Sequence, residues 1–174
     1  SEDEKVKKDL DELRDRVRKN IERIRRKLKK LLDEARDNVR RSEETLRRLA
    51  RRVEKIKKDK PRDEEVREEL ERYEEELKRN KEESDRKLEK VREDLKKNLE
   101  ESERRVRDFE RRLRELDIDR SVKEELRRVL EDLKRLHEEV SKRVEDALRE
   151  MKELHDRVLK RNKDVLRELK ERAQ

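Results

Sequence analysis

His137 and His155 are the only side chains in this 174-residue sequence whose ordinary pKa lies close to neutrality. Serines and asparagines recur along the rest of the chain at related intervals, among them Asn20, Asn38, Ser84 and Ser102. A serine beside a histidine is the beginning of a nucleophilic pair, and two histidines are the beginning of a metal site. Each chemistry needs more. Acyl transfer needs an acidic group to orient the imidazole and donors for an oxyanion, yet the chain has no glycine for such a turn. If both histidines lie on one helix they are five turns, about 27 Å, apart and cannot share an ion. With no cysteine there is no thiolate ligand, thiol nucleophile or disulfide. The residues therefore predict no catalytic group, no metal ligand and no cofactor.

The elements that would hold these side chains are long helices. Only two places interrupt a helical pattern. At Asp59-Lys60-Pro61-Arg62-Asp63 the proline lacks an amide donor and disfavours helix at the residue before it, although it fits the first turn of a following helix. At Asp117-Ile118-Asp119-Arg120-Ser121 cap-forming residues cluster, and Ser121 to Glu124 has capping-box spacing, as does Ser1 to Glu4. Helices are expected at about 2–58, 62–116 and 121–172, each roughly 80 Å long, within a single domain covering 1–174. Turns this short force neighbours antiparallel, so the fold class is all-α: a single-chain up-down-up three-helix bundle.

The apolar residues repeat every 18 positions. Leu10, Leu28 and Leu46 are one such series, Leu13, Leu31 and Leu49 another; Leu77, Leu95 and Leu113 follow in the second helix, and Leu133, Met151 and Leu169 in the third. Eighteen residues over five turns is about 3.6 per turn, the period of a straight helix, whereas a heptad would impose a left-handed supercoil. The helices should be nearly untwisted. On the first helix the apolar positions fill an arc of about 120°, wide enough to face two neighbours.

Folding the chain about its two turns places the polar residues of the seam in levels. The first and second helices should meet where residue numbers total about 120, the second and third where they total about 237, and the parallel first and third at an offset of about 117. Asn20, Asn98, Ser102 and His137 then share a level, with Ser141 one turn away; Asn38, Asn80, Ser84 and His155 share another, with Ser42 one turn away; Thr45, Tyr73 and Asn162 make a third. Asn, Ser and neutral His can satisfy one another without water, and a connected network fixes register. If both histidines are buried and neutral, stability falls as pH drops below about 6.5.

The formal net charge is +7 with 64% charged residues. Residues 1–60 carry 24 basic and 15 acidic side chains, 61–119 carry 18 and 23, and 120–174 carry 17 and 14. That basic, acidic, basic order suits three helices selected to attract one another better than one nucleic-acid face. Runs such as Arg23 to Lys27 predict only nonspecific phosphate binding at low salt. Tyr73 and Phe109 occupy equivalent seam positions and read as core fillers. Apolar runs reach two residues, far below the roughly 20 needed to span a bilayer, so the chain should be soluble and have no membrane partner.

In its repeat, its lack of glycine, its Glu/Lys/Arg surface and its Asn/Ser/His levels, the whole chain resembles de novo designed, parametrically generated three-helix bundles with buried hydrogen-bond networks. The layers are not identical, since Ile24 stands where Ser42 would repeat and Leu159 where Ser141 would. The resemblance implies a monomeric, very stable scaffold with no natural activity, specific partner or cellular location, found in the cytoplasm of an expression host. Two other readings stay open: a helix-displaying or switchable interaction module, and a nonspecific polyanion binder.

Overall fold

Ser1 starts the first helix as its sequence spacing suggests. The Ser1 hydroxyl accepts from the Glu4 amide at 3.4 Å, the Ser1 carbonyl accepts from the Lys5 amide at 3.2 Å, and the Glu4 carboxylate reaches back to the terminal ammonium. Three helices follow: α1 (Glu2–Lys58), α2 (Asp63–Glu115) and α3 (Arg120–Ala173). The computed structural model describes residues 1–58 and 63–173; the interruption expected around Pro61 lies outside the described residues. The start of α3 differs from the capping box expected at Ser121. Asp119 takes the cap position, its carbonyl accepting from the Lys123 amide at 3.0 Å, and the Ser121 hydroxyl donates to the Asp119 carboxylate. Arg120 is already helical, so Ser121 sits two residues past the cap position.

The helices pack as a three-helix bundle, and the direction of each is legible in its ion pairs. Arg112 meets Asp9 at 2.9 Å and Arg52 meets Glu69 at 3.4 Å, both pairs of residue numbers totalling 121, which makes α1 and α2 antiparallel. Arg36 with Glu150, Glu43 with Arg161 and Glu54 with Arg172 keep a nearly constant offset, so α1 and α3 are parallel. The topology is up-down-up.

The contacts gather into two units, each taking a stretch of every helix. One joins Ser1–Lys30 with Val91–Ala147, the other Leu31–Lys90 with Leu148–Gln174. The first unit is built around Val6, Leu10, Ile21, Ile24, Leu95, Val106, Leu113, Leu130 and Val140, each at most 2% exposed. In the second, Leu49, Val53, Val66, Leu70, Leu166 and Leu169 cluster, with Tyr73, Leu77 and Val165 packed against them. Apolar burial of this kind supplies most of the stabilisation, at about 1.5–3 kcal/mol for each large side chain before chain entropy is counted. No large hydrophobic residue is exposed among the described residues.

Candidate functional site

The most buried polar pair lies in the first unit. His137, on α3, is 2% exposed and Ser102, on α2, is 7% exposed. Ser102 Oγ lies 2.7 Å from His137 Nε2, and the His137 ring is also hydrogen-bonded to the Leu133 carbonyl one turn earlier on α3. A carbonyl can only accept, so Nδ1 carries the proton and Nε2 is the acceptor for the Ser102 hydroxyl. Burial pushes the His137 pKa below its ordinary value, against the opposing effects of Glu103 and the Leu133 carbonyl. The imidazole is thus held neutral in one tautomer. Its orienting partner is a carbonyl, which lacks the negative charge that stabilises an imidazolium in a hydrolytic triad.

The other members of that level are arranged more loosely. Asn20, Asn98 and Ser141 are half-buried. Asn20 and Asn98 line, with Ser102, Leu13 and Val17, a cleft of about 290 Å³ between α1 and α2. Neither asparagine side chain, nor that of Ser141, makes a hydrogen bond to another described residue.

In the second unit the polar residues meet in a different combination from the one sequence levels suggest. Ser42 Oγ donates to Asn162 Oδ1 at 3.0 Å, joining residues that the numbering put in separate layers. Asn162 is 3% exposed, whereas Ser42, Ser84, His155 and Tyr73 are half-buried and Asn38, Asn80 and Thr45 are exposed. All eight line a cavity of about 190 Å³. Thr45 spends its hydroxyl on its own helix, donating to the Arg41 carbonyl at 2.9 Å. Burial first, and Glu76 second, push the Tyr73 phenol above its ordinary pKa. His155 is therefore unlike His137: it is half-buried beside a cavity and its ring makes no hydrogen bond among the described residues.

One polar cluster has no distinctive mark in the sequence, because its members are ordinary Glu, Lys and Arg. Glu110 Oε2 is shut off from solvent and lies against the Lys134 ammonium across the α2–α3 contact, while Oε1 accepts from Arg114 at 2.9 Å. Lys134, with Arg114 behind it, holds the Glu110 carboxyl below its ordinary pKa despite partial burial; Glu110 in turn raises that of Lys134. The i, i+4 spacing of Glu110 and Arg114 was visible in sequence, but the same spacing occurs throughout these helices and singles nothing out.

Among the described residues no group of three or more His, Asp or Glu side chains is placed to hold a metal ion, and no helix is long and apolar enough to cross a membrane. No protein-family model and no curated protein matches the chain. Among solved structures it is similar to a protein described as a computationally designed three helix bundle, with 22% identity over 99% of this chain and 86% of that one and a TM-score of 0.43.

Proposed function

We propose that the chain is a structural scaffold of designed origin in which a few buried polar contacts select the helix pairing, and that it performs no catalysis. The observation that carries this reading is the Ser102–His137 hydrogen bond, made by two buried polar residues in a core whose other buried members are almost all apolar. An apolar seam repeating every 18 residues supplies stability with little discrimination, since hydrophobic contacts are non-directional. A buried hydroxyl and imidazole discriminate strongly, because any pairing that separates them strands two polar groups away from water. Designed origin is supported by the persistence of that repeat in all three helices, the absence of glycine and the dense Glu/Lys/Arg surface.

The test replaces the polar pairs by apolar ones, as S102A/H137L and S42A/N162L combined, and compares amide NMR spectra with the parent. The expected result is a variant that stays folded and helical but shows more than one set of cross-peaks, as pairing becomes degenerate. A single sharp set matching the parent would remove the specificity role. One observation favours a second reading, a module that releases a helix: the second unit buries fewer apolar side chains than the first among the described residues. Excess labelled peptide spanning 120–173 would exchange into the intact chain if helix release is its purpose, and would remain free if the scaffold reading holds.

A further inference from the structure

The cleft over Ser102 has a rim that the scaffold role does not use. Arg16, Lys19 and Arg23 of α1 and Arg105 of α2 surround it, with Glu101 as its one acidic lining residue. Positions 16, 19 and 23 are spaced three and four apart, so these cations project from one face of α1. Glu101 is engaged by Arg105 at 3.1 Å, and Lys19 reaches Asp15 at 2.9 Å. Arg16 and Arg23 make no ion pair among the described residues. Beneath them Asn20 and Asn98 hold amide donors that no described protein group accepts, beside the apolar wall of Leu13 and Val17.

The 18-residue repeat supplies a control inside the same molecule. Asn38, Asn80 and Ser84 in the second unit are the repeat counterparts of Asn20, Asn98 and Ser102, and they too line a cavity. Where the first cleft has Arg16 and Lys19, however, the repeat places Glu34 and Asp37, and Glu76 lines that cavity beside Arg41 and Lys81. Similar polar floors thus carry rims of different charge. A solvated helix face alone would require no such convergence of free guanidinium groups above free amide donors.

We propose that the α1–α2 cleft of the first unit is a binding site for a small polyvalent phosphate anion of the diphosphate class. Arg16 and Arg23 supply charge-assisted, fork-shaped hydrogen bonds to phosphate oxygens, Lys19 and Arg105 add charge at the rim, and the Asn20 and Asn98 amides donate from below. The cavity of the second unit, with mixed rim charge, does not select this ligand.

The experiment titrates inorganic pyrophosphate into the isotopically labelled full chain at fixed ionic strength, following the side-chain amides of Asn20, Asn98, Asn38 and Asn80. Saturable shifts at Asn20 and Asn98, with Asn38 and Asn80 unmoved, are expected. The exposed substitutions R16Q/R23Q should weaken binding by about tenfold or more, whereas R41Q/K81Q at the other cavity should leave it unchanged. Unsaturated shifts spread over all basic residues, equal sensitivity to both variants, or no response at Asn20 and Asn98 would each overturn the site. A parallel titration with duplex DNA that binds tightly and ignores R16Q/R23Q would assign the attraction to net charge and overturn it as well.

Discussion

Ser102 Oγ and His137 Nε2 stand 2.7 Å apart at a point where both residues have almost no contact with water. With Nδ1–H directed to the Leu133 carbonyl, the Ser102 hydroxyl is the donor that satisfies Nε2. Ser102→Ala leaves that nitrogen buried without a partner and is expected to cost about 1–3 kcal/mol. Adding His137→Leu removes the stranded acceptor, so the double variant should be more stable than Ser102→Ala alone. Urea unfolding of the wild type, both single variants and the double variant measures the coupling; purely additive losses would mean the hydrogen bond contributes nothing.

The same pair makes stability depend on pH. Burial lowers the folded-state pKa of His137, so the unfolded chain binds the proton more readily. This contribution is complete above the unfolded value of about 6.5 and is lost as pH falls through that value to the lower folded one. The denaturation midpoint should drop between pH 7.5 and 5, and the His137→Leu variant should lose that part of the drop. An unchanged drop in the variant would trace the effect to other groups.

Much of the fold and part of the polar site can be read from residue numbers, and the departures have a common geometric cause. Helical side chains lean toward their own N-terminus, more so when they are long. Between antiparallel α2 and α3 this raises the total for contacting residues above the 237 or so expected from the turns: Ser102 with His137 totals 239, and the longer pairs Glu110 with Lys134 and Glu74 with Lys170 both total 244. Between parallel helices only the difference in reach survives. Asn162 reaches back further than Ser42, which lets them bond at an offset of 120 where about 117 would make them level. Residue numbers track Cα positions, so two residues on different levels by number can still meet through their side chains. Angle alone does not set burial, because repeat counterparts share it: Asn38 and Asn80 emerge exposed where Asn20 and Asn98 are half-buried, and Ser84 is half-buried where Ser102 is sealed, so the sparser apolar burial of the second unit makes the difference.

Acid should act through Glu110 as well. Its folded pKa is lowered chiefly by Lys134, so its stabilising effect is present above the unfolded carboxyl value of about 4.3 and disappears as pH falls through the lower folded value. Glu110 is 19% exposed and Lys134 35%, which leaves the pair open to screening. Glu110→Gln is expected to cost about 1 kcal/mol or less at pH 7 and low salt, with a smaller loss in 1 M salt. Equal losses at both salt concentrations would identify packing as the cause.

Burial also divides the chain unequally. Among the described residues 17 buried hydrophobic side chains fall within the first unit and eight within the second, and none lies between residues 71 and 94 of α2. Local opening draws on the regions with fewest buried apolar contacts. Amide hydrogen exchange should therefore be fastest in 33–45, 72–90 and 152–161, and slowest around Leu10, Val106 and Val140. Uniform protection along each helix would indicate that the bundle opens only as a whole.

The leucines at 77, 95 and 113 put this difference on one footing, because they share a residue type, a helix and a seam position. Leu95 and Leu113 are each 2% exposed, whereas Leu77 is half-buried on the wall of the second unit's cavity. Truncation of a sealed leucine removes transfer energy and leaves a void, at about 2–5 kcal/mol. At Leu77 part of the side chain already faces open space, so both terms shrink, and Leu77→Ala should cost less than about 2 kcal/mol. Chemical denaturation of the three single variants decides the matter. Equal losses would mean that the cavity is closed in solution and that the repeat packs alike at all three positions; a graded loss would tie the weaker packing of the second unit to the polar residues that line it.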